Sequence, residues 1–496
     1  MKRLGAILLC FGVIFLYLLP AGASGSPQPV NFTVVFKGEN LPPNAHGLIR
    51  DMGGEVIYSI PKIGVVQVQA PAGFAMAAAG NDLIQAATPS LIEKLPGAYS
   101  QRLGTSSVNL DEAFLYNMYQ WDIKRVTNSG ASFNLGAGSH DVVVGVIDTG
   151  VDLNHPDLRA NLLEGSKNLV PAGGLYGNDL TELGDETDVQ DRIGHGSHVA
   201  GNIAGRGAIL GVAPDAGFRA YRVIGATGDA YIAWIVKAVV AAADDGVDVI
   251  NMSLSGIFFR GQVWYTDPGT GEKIRLGNDT ADYIALLRAV DYANKKGVLV
   301  VAAAGNDALN AGHKKEITGY LNELYGGYGF SFTGSGTVVP ASLPNVVAVS
   351  ATGPDDRLAL YSNYGSGLAN VAAPGGDCRI YLNTPEADRT VDNVFAREFC
   401  LSSIPIIELL YNDDKTVITG YNYIGPGYGF NIGTSMATPK ASAVAALVIS
   451  KYGKMSPART REILQKTAED IGKTGHDSSF GHGLVNAYNA LSGIKK

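Results

Sequence analysis

Residues 141–150 read DVVVGVIDTG. The apolar run from Asp141 to Ile147 predicts a buried strand, because a strand that is covered on both faces reads as a continuous apolar stretch. The run delivers Asp148 at its carboxyl end, followed by a Thr-Gly turn. Ligand-binding and catalytic groups of open α/β sheets lie at this edge. The stretch therefore predicts an α/β fold, although an isolated aspartate at this position is more often a turn or cap residue.

A second motif places a histidine between two glycines. Residues 194–201 read GHGSHVAG, at the start of a predicted helix of small residues. The flanking glycines let another chain approach the imidazole of His195 closely, and a helix start fixes its orientation. Taken alone, a Gly-His-Gly sequence is most often a loop.

A third motif places a serine just before a long helix. Residues 433–439 read GTSMATP, and small residues continue to about Ser450. Backbone N–H groups at a helix start can donate to an anion that forms beside Ser435. A serine here is otherwise most often an N-cap, but the three motifs together supply Asp148, His195 and Ser435 in that order.

This order is that of subtilisin, and it differs from those of chymotrypsin and the α/β-hydrolases. From about Gln120 to Leu491 the chain resembles a subtilisin-like serine peptidase. The chain contains no Gly-x-Ser-x-Gly sequence, so a lipase or esterase is disfavoured. Further stretches carry the resemblance: His155–Leu158, Gly211–Pro214, Val249–Gly256, Val301–Asn306, Tyr361–Gly365, Val371–Gly375 and Gly481–Ala487.

The resemblance implies a parallel-sheet, three-layer α/β catalytic domain over residues 120–496 and a role for each motif. Ser435 attacks the peptide carbonyl, His195 transfers the proton, and Asp148 orients the imidazole. Asn306 matches the oxyanion-hole asparagine, with the N–H of Ser435 as the second donor.

The resemblance also implies how a polypeptide substrate binds. The substrate backbone pairs with one stretch as an added strand, and a second stretch forms a wall of the primary pocket. Ile232, Ile235 and Leu254 match an apolar pocket further along the substrate. The backbone-pairing residues are Ser253, Leu254, Ser255 and Gly256, and the wall residues are Ala303, Ala304 and Gly305.

Residues 27–95 have a different pattern. Strands are predicted at Val30–Phe36, Glu55–Ile60, Val65–Ala70 and around Leu91-Ile92, with helices at Pro43–Met52 and Phe74–Ala79. The βαββαβ order is that of a small ferredoxin-like α+β domain. Since subtilisin-like enzymes carry such a domain as a propeptide, the resemblance implies an intramolecular inhibitor, with a linker and processing site in residues 96–119.

Composition and the N-terminus agree with a secreted enzyme. The chain has 496 residues, of which 46% are hydrophobic, and its net charge of −8 argues against a nucleic-acid partner. Lys2 and Arg3 precede an apolar run to Leu19 and a small-residue cleavage site at 21–23, which predicts a secretory signal peptide over residues 1–23. An uncleaved anchor is the alternative. We expect a secreted monomer with no membrane partner after signal cleavage.

Several features depart from the family pattern or leave questions open. The resemblance implies no cofactor for the chemistry. Whether the chain binds structural calcium stays an open question, because Asp157 matches a ligand of the family's calcium site but the loop between Gly201 and Gly211, which would supply most other ligands, is short.

Lys440 stands where subtilisins have histidine. The sequence also leaves open whether Cys378 and Cys400 form a disulfide bond. Insertions are predicted at 258–280, 308–333 and 376–423.

Residues 178–191 carry six carboxylates just before His195. They form either a solvated loop or a site that favours basic substrate residues or a cation. The leading functional prediction is a self-processing serine endopeptidase of broad specificity. The alternatives are a dedicated peptidase that removes leaders from secreted peptides and a catalytically silent peptide-binding scaffold, which would require a missing triad member.

Overall fold

The computed structural model describes residues 30–71, 73–95, 101–103, 111–266 and 271–493. The predicted signal peptide lies outside the described residues, as does part of the predicted linker. Over the ranges described, no helix is long and apolar enough to cross a membrane.

The N-terminal domain is a four-stranded antiparallel sheet with two helices, in the predicted βαββαβ order. The elements are β1 (Val30–Phe36), α1 (Ala45–Asp51), β2 (Glu55–Ile60), β3 (Val65–Ala70), α2 (Phe74–Ala79) and β4 (Ile84–Pro89). The strand order in the sheet is β2-β3-β1-β4. Phe32 and Val34 of one sheet face pack against Ile49 and Phe74 of the helices.

The segment after β4 differs from the prediction. The last strand of the small sheet is β4, and the stretch around Leu91-Ile92 leaves the domain. Ile92–Lys94 forms β5, which pairs antiparallel with residues 229–231 of the larger domain. Gln101–Leu103 forms β6, which pairs antiparallel with residues 428–430. The predicted linker also contains α3 (Phe114–Tyr119), whose Leu115 is buried in the core of the larger domain.

The larger domain is built on a seven-stranded parallel sheet. Its strands are β7 (Val143–Asp148), β8 (Lys167–Asn168), β9 (Gly217–Arg222), β10 (Asp229–Tyr231), β11 (Val249–Met252), β12 (Gly256–Phe259), β13 (Gln262–Thr266), β14 (Lys273–Gly277), β15 (Leu299–Ala303), β16 (Phe330–Thr333), β17 (Gly336–Val339), β18 (Val346–Thr352), β19 (Val371–Pro374), β20 (Cys400–Tyr411) and β21 (Ile418–Asn431). Its helices are α4 (Trp121–Thr127), α5 (Pro156–Arg159), α6 (His195–Ala204), α7 (Ile232–Asp244), α8 (Thr280–Lys295), α9 (Lys314–Tyr325), α10 (Arg379–Asn383), α11 (Ala396–Glu398), α12 (Thr434–Tyr452), α13 (Pro457–Thr467) and α14 (Ala487–Ser492). The strand order in the parallel sheet is β19-β18-β15-β11-β7-β9-β8.

Helices cover both faces of the parallel sheet. Val144 and Val146 of β7 pack in one core with α6 and α12, whereas Ile147 of the same strand packs in the opposite core with α7 and α8. The alternation follows from the two-residue period of a strand. The three-layer α/β prediction is therefore confirmed.

The three predicted insertions fold into defined elements. The first contains β13 and β14, the second contains α9 and β16, and they meet because β13 pairs with β16. The third contains β20 and the first part of β21, and these two strands form one antiparallel hairpin. The base of this hairpin packs against the turn before His195, since a Cβ on Gly194 would lie 3.5 Å from the Ile404 Cβ atom.

Candidate active site

The site residues lie at the carboxyl edge of three adjacent strands. Asp148 ends β7, Ser253 directly follows β11, and Asn306 lies three residues beyond β15. His195 begins α6. The predicted position of Asp148 at the carboxyl end of a strand is what the structure has.

His195 and Asp148 are directly paired. The His195 Nδ1 atom lies 2.7 Å from Asp148 Oδ1, and the aspartate is fully buried. Oδ1 also accepts a hydrogen bond from the Thr149 N–H at 2.7 Å. This pairing fixes the imidazole orientation, with Nδ1 directed at the carboxylate and Nε2 on the opposite side of the ring.

The turn that carries His195 is held by a second buried aspartate. Asp191 accepts hydrogen bonds through one oxygen from the N–H groups of Ile193 and Gly194, and through the other from the N–H and hydroxyl of Ser197. Thr149, the neighbour of Asp148, also donates to it. Asp191 therefore ties the start of α6 to the end of β7. The sequence alone does not distinguish Asp191 from the other carboxylates of residues 178–191.

Packing between the two segments requires glycine. A Cβ on Gly196 would lie 2.2 Å from the Gly150 carbonyl oxygen, closer than any real contact. The glycine after the histidine thus permits α6 to start against the turn after β7, and this contact brings His195 to Asp148.

The pKa of His195 is raised above its ordinary value of 6.5. Burial alone would lower it, but the charge of Asp148, the hydrogen bond to Asp148 and the charge of Asp191 together outweigh the burial. The site therefore stabilises an imidazolium, the species formed when a histidine takes a proton from a hydroxyl.

Ser435 is the second residue of α12. Its hydroxyl donates to the carbonyl of Ser253 at 3.0 Å, and the Ser253 hydroxyl donates to the carbonyl of Ser435 at 2.8 Å. Gly433 has φ +150, a conformation that L side chains rarely adopt. The absence of a side chain there keeps the space in front of Ser435 open.

Asn306 is oriented by Thr434. Its Oδ1 accepts hydrogen bonds from the Thr434 N–H and hydroxyl, both at 2.8 Å. Since the oxygen of the amide is engaged, the Nδ2 group is presented as a donor beside Gly433, where a Cβ would lie 3.6 Å away. This is the orientation that an oxyanion donor needs.

The predicted substrate-binding stretches face each other. A Cβ on Gly305 would lie 2.8 Å from the Ser255 hydroxyl oxygen, so the two stretches are close. The side chains of Ser253, Leu254, Ala303 and Ala304 are buried, and Gly256 begins β12. The Ser255 backbone also bonds the carboxyl group of Glu93 from β5. The chain's own N-terminal segment thus lies beside these residues.

Most of the acidic loop is engaged within the protein. Glu182 is fully buried and pairs with Arg222 and Arg192. Asp188 also pairs with Arg192, and Asp179 and Asp185 accept hydrogen bonds from threonines two residues on. With Asp191 at the helix start, these partners favour a structural loop over a binding site for basic residues or a cation.

Asp157 is likewise engaged. Its Oδ2 accepts hydrogen bonds from the Ile209 N–H at 3.0 Å and from the Tyr428 hydroxyl at 2.9 Å. Two donors aimed at this oxygen do not fit a bound cation. Within the described ranges, no cluster of three or more His, Cys, Asp or Glu side chains has the arrangement of a metal site.

Beneath α12 lies a buried ion pair. The Lys440 ammonium is 2.7 Å from Asp122 and 2.8 Å from Asn202, and both charged side chains are fully buried. Lys440 thus joins α12, which carries Ser435, to α4.

Cys378 and Cys400 are buried free thiols with no disulfide between them. Burial raises the pKa of both thiols, so they are poor nucleophiles.

Comparison with known proteins agrees with this geometry. The family model "Subtilase family" matches residues 139–483. The leader peptide-processing protease NisP of Lactococcus lactis is 32% identical over 380 residues, which is 76% of this chain but 49% of that protein. EpiP of Staphylococcus epidermidis is 30% identical over 75% of this chain and 74% of its own length. Subtilisin E of Bacillus subtilis is also 30% identical, over 71% of this chain and 66% of its own length.

Solved structures extend the likeness. The crystal structure of EpiP from Staphylococcus aureus superimposes with a TM-score of 0.74 at 31% identity, covering 95% of this chain and 99% of that one. The structure of NisP from Lactococcus lactis gives a TM-score of 0.61 at 30% identity, covering 77% and 96% of the two chains.

Proposed function

The chain belongs to the subtilase family, a family of serine proteases, and we propose that it is a secreted endopeptidase made as a self-processing precursor. The observation that carries the proposal is the 2.7 Å pairing of His195 with Asp148 at the sheet edge where Ser435 and Asn306 also lie. Subtilases need no cofactor for catalysis and act on polypeptides.

In the proposed mechanism Ser435 is the nucleophile. Its hydroxyl turns from the Ser253 carbonyl to His195 Nε2, which takes the proton as the oxygen attacks the peptide carbonyl. Asp148 holds the imidazole through Nδ1 and stabilises its cation. The Nδ2 group of Asn306 and the N–H of Ser435 donate to the oxyanion. His195 then passes the proton to the leaving amine, and water repeats the cycle on the acyl-enzyme.

The N-terminal domain is proposed as the inhibitor. Its sheet lies against α8, where Asp282 accepts hydrogen bonds from the Thr33 hydroxyl and the Leu91 N–H. Arg288 donates to the carbonyls of Ile63 and Phe36. β5 then pairs with β10 and β6 pairs with β21, and residues next to both pairings line the cleft beside His195. We therefore propose self-cleavage within residues 96–119.

A second candidate is a dedicated leader-processing peptidase. NisP and EpiP bear that function in their names, and the likeness to the EpiP structure covers 95% of this chain, including the N-terminal domain. The long β20–β21 hairpin beside the cleft also favours selected substrates over unrestricted proteolysis. A silent scaffold is disfavoured because Asp148, His195, Ser435 and Asn306 are all present.

The decisive experiment compares the wild-type full chain with Ser435→Ala. We expect the wild type to cut itself within residues 96–119 and then to hydrolyse an unfolded protein, and the variant to stay intact and inactive. A variant that matures with no other protease present would refute self-processing. Digesting an unfolded protein and a set of leader-bearing peptides side by side then separates broad from dedicated activity.

A further inference from the structure

One face of α6 carries both His195 and the buried amide of Asn202. The two residues lie seven positions apart with His198 between them, and positions separated by three, four and seven residues share a face of a helix. The Asn202 amide nitrogen donates to the His198 carbonyl at 2.9 Å. A bond to the amide oxygen of Asn202 therefore fixes the rotation of α6 about its own axis, and with it the position of the His195 ring.

The ammonium group of Lys440 supplies that bond. Its Nζ atom donates to Asn202 Oδ1 at 2.8 Å and to the Met436 carbonyl at 3.0 Å, and it lies 2.7 Å from Asp122 Oδ2. Met436 directly follows Ser435 in the first turn of α12. One buried cation thus joins α4, the first turns of α12, and α6.

The base of the inserted hairpin belongs to the same network. His198 Nε2 donates to the carbonyls of Cys400 at 3.0 Å and Gly429 at 3.1 Å. The Cys400 thiol in turn hydrogen-bonds with Asp122 and Lys440. Burial, followed by the charge of Lys440, lowers the pKa of His198 to about 3, so its ring is neutral. The ion pair is therefore surrounded by neutral groups that are hydrogen-bonded to it or to one another.

Stability alone is a poor reason for this ion pair. Both charged groups lose their hydration on folding, and apolar side chains of similar size often stabilise a fold equally well. Apolar side chains, however, cannot supply directed bonds that fix one helix relative to another. The two helices joined here are those that begin with the Ser435 and His195 motifs.

We propose that Lys440 and Asp122 are positioning residues for the reaction. They hold α12 against α6 so that the Ser435 hydroxyl can reach His195 Nε2. Because a displacement of about 1 Å between reacting groups can cost about 10²-fold in rate, a loosened contact between the helices would reduce the chemical step. This inference rests on the proposed protease mechanism.

The test measures kcat, KM and Tm of processed enzyme on a small chromogenic peptide. Variants that process slowly are completed with a trace of tagged wild-type enzyme, which is then removed. In Lys440→Met we expect kcat to fall by roughly tenfold or more with KM unchanged, because the bond to α6 is lost and the proposed substrate-binding residues are not. The pH dependence of kcat/KM should keep its apparent pKa, since Asp148 and Asp191 raise the pKa of His195. Unchanged kcat would overturn the proposal.

Two further variants separate positioning from stability. Asn202→Leu keeps the ion pair but removes its bond to α6, so kcat should fall as in Lys440→Met with a smaller loss of Tm. The double variant Asp122→Leu with Lys440→Met buries no unpaired charge, so its Tm should recover towards that of the wild type. Its kcat should stay low, because Asn202 still lacks the ammonium donor. Recovery of kcat together with Tm would show that the pair acts only on stability and would contradict the proposal.

Arg125→Met serves as the control for lost stability. Arg125 is on α4, as Asp122 is, but it pairs with Asp356 and Glu469, both at 2.9 Å and both outside α6 and α12. Its loss should lower Tm and leave kcat unchanged. A fall in kcat as large as in Lys440→Met would overturn the proposal. Failure of the wild type to cleave any polypeptide would instead refute the proposed protease function.

Discussion

Ser253 and Ser435 exchange two hydrogen bonds, each hydroxyl donating to the carbonyl of the other residue, at 2.8 and 3.0 Å. The pair joins the end of β11 to the start of α12. The proposed nucleophile Ser435 is thereby held by the strand end that carries the proposed substrate-binding residues.

Replacing Ser253 with alanine removes one bond of this pair and a second bond from the Asn251 amide. Because a buried carbonyl and amide lose a partner, we expect unfolding free energy to fall by about 1–3 kcal/mol. A misplaced Ser435 should also lower kcat by about tenfold. Chemical unfolding and peptide hydrolysis measure the two effects, and Ser253→Thr, which keeps the hydroxyl, should restore much of both. Unchanged kcat in the alanine variant would contradict the positioning role.

At acidic pH, the dependence of kcat/KM on pH, which is the acid limb of the profile, should follow the protonation of His195. A raised pKa means that the imidazole remains protonated to a higher pH than usual, and a protonated imidazole cannot act as a base. We therefore expect kcat/KM of the processed enzyme to rise with pH through an apparent pKa above 6.5. In Asp191→Asn the charge that helps to raise this pKa is lost, and the limb should move to lower pH. A limb that stays in place would exclude an electrostatic contribution from Asp191.

Release of the N-terminal domain should speed up as pH rises. Burial, followed by the charge of Asp307, raises the pKa of Glu93 to about 8 from the usual 4.5. Because the pKa of Glu93 is raised while the N-terminal domain is bound, binding of this domain is strongest below pH 4.5 and weakens as pH rises through about 8. Samples of cut protein held at pH 5 to 9 and assayed in one common buffer should gain activity faster from the higher-pH incubations.

Glu93→Gln is the matched control for that experiment. The amide keeps the size of the side chain but does not titrate, so most of the pH dependence of release should disappear. A variant whose release accelerates with pH as steeply as the wild type would assign the effect to other groups.

Chelation should leave the protein's stability unchanged. Asp157, the carboxylate that matches a calcium ligand of the family, is satisfied by Ile209 and Tyr428. We expect the same Tm with and without EDTA, whereas Asp157→Ala should lower it because two buried donors lose their acceptor. A Tm that falls with EDTA and recovers with calcium would contradict this assignment.

The sequence predicts the elements that repeat a local pattern. The β7 strand is recognisable from its continuous apolar run, and the helices after His195 and near Ser435 from their small residues. The βαββαβ order of the N-terminal domain is also readable. These features depend on neighbours along the chain, which a single sequence contains.

Features that depend on distant partners are not readable in this way. Ile92–Lys94 has the composition of a strand, but nothing local states that it pairs with β10 rather than with β1. Asp191 is indistinguishable from other loop carboxylates until the fold places the start of α6 around it. The Lys440–Asp122 ion pair joins residues that lie far apart in the sequence, and the sequence alone shows only that position 440 departs from the family pattern.

The base of the β20–β21 hairpin limits how this protein can evolve. Within a few residues, β21 borders the cleft, donates to Asp157 through Tyr428, and accepts from the buried His198 at Gly429. A substitution there would disturb the border of the cleft and the domain core together. New substrate preferences are therefore accessible mainly through exposed positions of the hairpin such as Tyr411 and Ile424, because its outer part is itself tied to the acidic loop through the buried Ile418.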